Sequence, residues 1–303
     1  MPALRLRQTL PAILAVALLC SAPTRGAEAA EVFRLGVISE QPQAPGLMLR
    51  RYRSMRQYLQ DWLKDSHIDV AEVAVATDLD EMQHWIEQGR VDALMESLST
   101  TLTLEHKTGA IEPALLAWRK GQRAYRTHFF ARTDSPIRRL EDLTGRSIAF
   151  ESPRSTSAFF IPKLSIEHLG MRLRPAETAV AADAVAYRFA GSELNQAYWV
   201  QRGITDAGAF NDGDWERTPQ SVRKDLRVFH TTPPVLRYLC SFHSRLNPST
   251  REHVQAALVK MHEDPRGKAA LQDAYEISRI EVLTAADQAQ LKAWRAMISR
   301  LDD

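Results

Sequence analysis

The sequence predicts an α/β protein of two similar lobes, with parallel-type sheets flanked by helices and a ligand cleft between the lobes. Two observations carry this. Apolar strand patterns alternate with helical ones along most of the chain, as parallel sheets with right-handed crossovers require. In addition, one joint recurs: Trp85-x-x-x-Gly89-x-x-Asp92-Ala93 returns as Trp199-x-x-x-Gly203-x-x-Asp206-Ala207. Each copy links a helix end to a short apolar strand. Each is followed by a polar loop, Glu96-Ser97-Leu98-Ser99-Thr100 in the first and Asn211-Asp212-Gly213-Asp214 in the second. Helix–Gly–strand joints look alike in many α/β proteins, so a coincidental echo is the alternative. If the lobes are truly alike, ligands bind beyond the carboxyl ends of the strands, and these loops line the cleft.

The elements follow in order. Arg5 and Arg7 precede an apolar run from Leu10 to Cys20, and small residues end at Ala27-Glu28-Ala29. This predicts a secretory signal peptide over 1–29, too short in its apolar part to span a bilayer. A lipidated Cys20 is disfavoured because Leu19 stands where a small residue is needed. Val32 to Ile38 reads as a strand. Met48, Tyr52, Met55, Leu59 and Trp62 recur at helical spacing over about 47–64. Ile68 to Ala76 alternates as a second strand. Leu79, Met82 and Ile86 mark a helix stopped at Gly89, and Val91 to Met95 is a third strand. The pattern then restarts: a strand at 146–150, a helix over about 156–169 ending at Gly170, a strand at 185–189, a helix over about 193–202, and a strand at 206–210. The last fifty-odd residues read as helical, with Val254, Leu258 and Met261 on one helix and Leu291, Trp294, Ile298 and Leu301 on another.

Composition narrows the function. The 303 residues are 45% hydrophobic and 25% charged, which excludes wholesale disorder. Three arginines and one glutamate fall in the signal segment. Without it Lys+Arg drops from 39 to 36 and Asp+Glu from 37 to 36, leaving a formal charge of zero. Nothing here suits nucleic acid. Cys240 is then the single cysteine, in an apolar run, and reads as a buried small hydrophobe. No dinucleotide, P-loop, zincin or nucleophile-elbow motif occurs, and no two histidines stand at i, i+4. No cofactor, metal or catalytic residue is expected.

One segment does carry chemistry: Glu151-Ser152-Pro153-Arg154-Ser155-Thr156-Ser157-Ala158, between a strand and a helix. A helix start needs one capping hydroxyl. Three in a row exceed that need. With the unpaired N–H groups and partial positive charge of the helix start, Ser155, Thr156 and Ser157 suit an oxyanion.

The same segment, with Pro162 after it, resembles the signature of periplasmic phosphonate/phosphite/phosphate-binding proteins of ABC importers, acidic-x-Pro-x-Ser-Thr-Ser-Gly. Gly36-Val37-Ile38, Gly89-Arg90-Val91-Asp92-Ala93 with Glu96-Ser97, Trp118-Arg119-Lys120-Gly121 before Tyr125, Leu140 to Gly145, and Trp199 to Ala209 agree in order. The resemblance implies a type II periplasmic-binding-protein fold, with lobe one at 30–132 plus 234–303, lobe two at 133–233, and hinges near Phe130–Asp134 and Thr232–Arg237. It implies oxyanion donors at Ser155, Thr156 and Ser157, and further ligand contacts from Glu96, Ser97, Ser99, Tyr125, Asn211 and Asp206, the last either a cleft acid or a structural one. The implied partners are a small anionic ligand and a membrane permease. A sensor kinase, or an enzyme on the same scaffold, is the alternative. A monomer in the periplasm is expected. Two departures stand out: Leu98-Ser99 replaces the family's Pro-Tyr, removing an aromatic wall, and Ala158 replaces Gly.

Overall fold

A computed structural model describes residues 30–39, 43–176 and 183–298. The expected signal peptide lies outside them. Among the described residues no helix is long and apolar enough to cross a membrane.

Two six-stranded sheets organise the chain. The first runs Ile277–Val282, Ile111–Arg119, Tyr238–His243, Ala93–Ser97, Leu35–Ile38, Ala74–Ala76. The second runs Arg172–Pro175, Ala184–Phe189, Ser147–Phe150, Ala207–Asn211, Thr127–Arg132, Leu226–Thr231. Both are mixed rather than purely parallel, and the reason is topological. The strand entering each sheet from the other one runs antiparallel to the echo strand. Tyr238–His243 pairs in this way with Ala93–Ser97, and Thr127–Arg132 pairs with Ala207–Asn211. The remaining strands beyond each echo strand are parallel.

Thr127–Arg132 therefore belongs to the second sheet, with Phe129, Phe130 and Ala131 in its core. The first crossing lies at 120–126, ahead of the hinge expected at Phe130–Asp134. Apolar burial holds that strand in the second lobe. The return crossing spans 232–237, between Thr231 and Tyr238. The crossings are tied together: Ala124–Tyr125 and Val235–Leu236 pair antiparallel.

The amphipathic helix Pro45–Leu63 buries Met48, Tyr52, Met55 and Leu59 against the first sheet. Trp62, on the same expected stripe, is 46% exposed and stacks on Tyr58. The 68–76 strand is two pieces: Ile68–Val70 pairs with Glu31–Phe33, and Ala74–Ala76 pairs with Leu35–Ile38. The glycines of the repeated joint adopt positive φ, +64° at Gly89 and +70° at Gly203, which ends each helix without a Cβ penalty.

Two expectations change. The C-terminal region is not wholly helical. Ile277–Val282 is an edge strand on Ile111–Arg119, because Ile277 and Ile280 reach the core. Both polar loops are in fact strand ends passing directly into helices, Leu98–Thr108 and Asp212–Arg217. Ser97 and Asn211 are the N-cap residues, a position such side chains favour. Buried Leu98, Leu102 and Leu104 anchor the longer helix.

Candidate functional site

A cleft of about 750 Å³ opens between the sheets. It is built from the carboxyl ends of the echo strands, the two crossings and the 151–157 segment.

Pro162 explains the local fold of that segment. Proline has no N–H, so it leaves the carbonyl four residues back without its helical partner. That carbonyl, of Ala158, accepts instead from Glu151 N at 3.2 Å. The loop 151–155 is thereby folded back over the helix start. The helix opens on a single π-type turn, Thr156–Phe160, with Phe160 N bonded to Ser155 O at 2.9 Å. It runs on directly into Ile161–Glu167. Such wide turns recur at functional sites.

Ser155, Thr156 and Ser157 all line the cleft, and each hydroxyl accepts or shares a protein hydrogen bond. Ser155 Oγ caps the helix, accepting from Ala158 N at 3.1 Å. Ser157 Oγ accepts from Asn211 Nδ2 at 3.2 Å. Each of these two hydroxyls keeps its own proton to donate. Thr156 Oγ1 lies 2.6 Å from Ser99 Oγ of the first lobe, beside the Tyr125 phenol. Burial pushes the Tyr125 phenol up to about 12, so it stays neutral at any ordinary pH.

Glu96, Ser97, Tyr125 and Asn211 also line the cleft. Glu96 accepts from Ile38 N at 3.0 Å and Ser97 N at 3.2 Å, pinning the ends of two strands. Ser97 leaves its helix start without a side-chain cap and bonds Thr100 Oγ1 at 3.1 Å instead. The helix starts at 98 and 156 thus meet across the cleft. Ser99 sits behind the wall, buried against Thr156. A tyrosine there would displace this contact.

Asp206 is the exception. It lies at the amino end of its strand, away from the cleft, and accepts from Ser147 N at 2.8 Å and Ser147 Oγ at 2.7 Å. Its echo, Asp92, accepts from Arg34 N at 2.7 Å. Both carboxylates hold an N–H at the start of the neighbouring parallel strand, Ser147 itself in one case and Arg34, one residue ahead of Leu35, in the other, so the structural reading of Asp206 prevails over a ligand contact.

Sequence reasoning missed several cleft residues. Arg237 comes from the second crossing, Lys120 from the first, and Arg119 from the end of the strand that leads into it. Tyr238 and Tyr275 stack at 5.8 Å, with the Arg119 guanidinium 3.7 Å from the Tyr275 ring centre. Glu151, Glu193 and Asp214 form an acidic side. Burial first, then the neighbouring Glu151 and Asp214, push Glu193 up to about 7. The one signal available in the sequence was Arg237 itself, a lone cation in the apolar run Val235-Leu236-Arg237-Tyr238-Leu239-Cys240. Cys240 is buried and its thiol is pushed up to about 12 by burial, an inert core residue. Among the described residues no cluster of His, Cys, Asp and Glu could hold a metal.

Comparison with known proteins places this geometry. A family model described as the periplasmic substrate-binding protein of ABC phosphonate transporters matches residues 36–290. No curated protein matches the chain. Among solved structures, XAC2383 from Xanthomonas citri, bound to chloride in one structure and to ATP in another, is 27% identical, with a TM-score of 0.81 over 90% of this chain and 98–99% of that one. PhnD1 from Prochlorococcus marinus in complex with methylphosphonate is 16% identical, with a TM-score of 0.63 over 90% of this chain and 99% of that one. The aliphatic sulphonate-binding protein SsuA from Escherichia coli is 16% identical, with a TM-score of 0.51 over 90% and 93%. With two lobes, two crossings and a hydroxyl-lined cleft, and with a family match over most of its length, the chain belongs to the periplasmic substrate-binding proteins of ABC phosphonate transporters.

Proposed function

We propose that the protein captures a small molecule bearing a phosphonate- or phosphate-type oxyanion and delivers it to the membrane permease of an ABC importer. The observation that carries this reading is the Ser155-Thr156-Ser157 turn, whose residues line the cleft at a helix start. Closure of the two lobes is driven by contacts made in the closed state alone. Transport, rather than turnover, is the outcome for the ligand. The protein is exported by a cleaved signal peptide at 1–29 and acts as a monomer.

The cleft volume favours a second reading of the ligand's size. About 750 Å³ falls among pockets that hold drug-sized ligands, more room than methylphosphonate fills. A phosphoryl group carried on a larger body, as in the ATP held by XAC2383, fits that room, with Tyr238 and Tyr275 available to its apolar part.

Thermal melting and calorimetry with methylphosphonate, phosphate, phosphite, ATP and methanesulfonate test both readings. A true ligand at a hundredfold excess over its Kd adds about 2.7 kcal/mol of stability. Replacing Ser155, Thr156 and Ser157 together by Ala should abolish that gain. Unchanged affinity in the triple variant would sink the assignment. A shift with ATP and none with the small anions would select the larger ligand.

A further inference from the structure

We infer that Arg237 is the hinge-borne counter-charge for the ligand's oxyanion, a role that rests on the reading of the cleft as an oxyanion site. Its side chain lines the cleft yet is only 7% exposed. Nη1 donates to Gln122 Oε1 at 2.7 Å, and the guanidinium carbon stands 5.0 Å from the centre of the Tyr125 ring. Nε is buried with no hydrogen-bond partner. Among the described residues Arg237 has no ion pair. The cleft carboxylate that acts on it, Asp214, is already held by Arg217 and Asn211.

Arg123, in the opposite crossing, makes the contrast. It is paired twice, with Glu281 at 2.7 Å and with Asp287 at 2.7 Å. Lys120 and Arg154 also reach the cleft, but both are solvent-exposed, and the half-buried Arg119 is laid on the Tyr275 ring at 3.7 Å. Burying a cation without a counter-ion is costly, and burial indeed lowers the Arg237 pKa. A guanidinium kept in that state is matched by a charge the chain does not supply. Its fork geometry suits two oxygens of a tetrahedral anion.

The position adds a second consequence. Gln122 belongs to the first crossing and Arg237 to the second. Gln122 Nε2 donates in turn to Asp212 Oδ1 at 2.9 Å, next to Asn211, whose amide reaches Ser157 Oγ. Two hydrogen bonds join the cation to both crossings and to Asp212, and the backbone of Asp212 continues into Asn211, which holds Ser157. A ligand that neutralises Arg237 does so where the lobes turn, and a neutral ligand leaves the guanidinium unsatisfied. Selection for charge is built into the hinge.

The test compares wild type with Arg237→Met and Arg237→Lys by melting and calorimetry, using methylphosphonate, inorganic phosphate and ATP as probes. For whichever anion stabilises wild type, Arg237→Met should lose about 100-fold or more in affinity. Arg237→Lys should retain part of the binding. Ligand-free Arg237→Met should melt at or above wild type, because an uncompensated buried charge is gone. If the Met variant melts lower, Arg237→Gln, which keeps a polar arm over Tyr125, carries the affinity comparison. Binding within threefold of wild type in a folded Met or Gln variant overturns the inference and leaves the oxyanion reading standing. Absence of any shift in wild type overturns the reading, and this inference with it.

Discussion

The segments 85–100 and 199–214 share one plan, and they put it to different uses. In each, a helix ends at a left-handed glycine, an aspartate holds the neighbouring strand, and a cap residue opens the next helix at the cleft. In the first lobe the aspartate is the heavily invested member. Asp92 is 2% exposed and holds Arg34 N, with Arg245 Nη2 at 2.5 Å and Arg34 Nη1 at 3.6 Å. In the second lobe the cap is the invested member. Asn211 caps its own helix through Asp214 N at 3.0 Å and also positions Ser157. Asp206 is left half-exposed, with Arg146 at 3.8 Å. The unit serves chiefly as scaffold through its aspartate in lobe one and as cleft-facing support through its cap in lobe two.

The largest effect should separate the two aspartates. Asp92→Ala strips a buried carboxylate from a strand N–H and two guanidinium groups, and should cost about 3 kcal/mol. Asp206→Ala removes a half-solvated contact and should cost about 1 kcal/mol. Urea denaturation measures both. Equal costs would break the asymmetry drawn between the lobes. Neither variant should change ligand affinity by more than about threefold, well under 1 kcal/mol; a large loss in Asp206→Ala would return that residue to the cleft.

Next in size is a pH effect confined to lobe two. Glu193 titrates near 7 in the folded protein because burial, Glu151 and Asp214 disfavour its charge, and near the ordinary 4.3 when unfolded. Between those values the folded state holds the extra proton, so stability falls as pH rises from about 4.5 to 7. This contribution is on the order of 2–3 kcal/mol. Burial lowers the pKa values of His128 and His230, which act in the opposite sense over this window, so the effect is read as the difference between wild type and Glu193→Gln melted ligand-free at pH 5 and pH 7.5, the variant losing the Glu193 contribution. An unchanged slope in the variant would place the titrating group elsewhere.

How far such features could be read from sequence depended on whether they were local. The repeated joint was legible because a helix stop and a strand start are written in adjacent residues. Ser155-Thr156-Ser157 was legible because hydroxyls in excess of one cap need another explanation. The helix Leu98–Thr108 was hidden: its serine and threonine start resembles a loop, and its apolar contacts are long-range. The strand Ile277–Val282 was hidden likewise, since its partner Ile111–Arg119 lies far away in sequence. Arg237 offered one signal, a lone cation in an apolar run, and Glu193 offered none, because their burial depends on how the crossings and lobes come together. Asp206 shows the converse error, where a residue type fitting the chemistry sits at the wrong end of its strand.

The smallest effect tests the seam between the lobes. Ser99 Oγ and Thr156 Oγ1 are 2.6 Å apart and buried, one from each lobe. Such a bond exists only when the lobes are together, so it stabilises the closed form and not either lobe alone. Ser99→Ala removes one neutral hydrogen bond, worth about 1 kcal/mol. Ligand affinity should fall about fivefold, the same energy expressed in binding. The melting temperature of the ligand-free protein should move less than that of the complex. Ser99→Tyr introduces the aromatic ring that the family resemblance implies at the position where lobe one touches Thr156. It should weaken closure more than Ala does, because the ring must displace Thr156. If Ser99→Tyr binds more tightly than wild type, the hydroxyl seam contributes nothing, and the missing ring is the feature that sets this cleft apart.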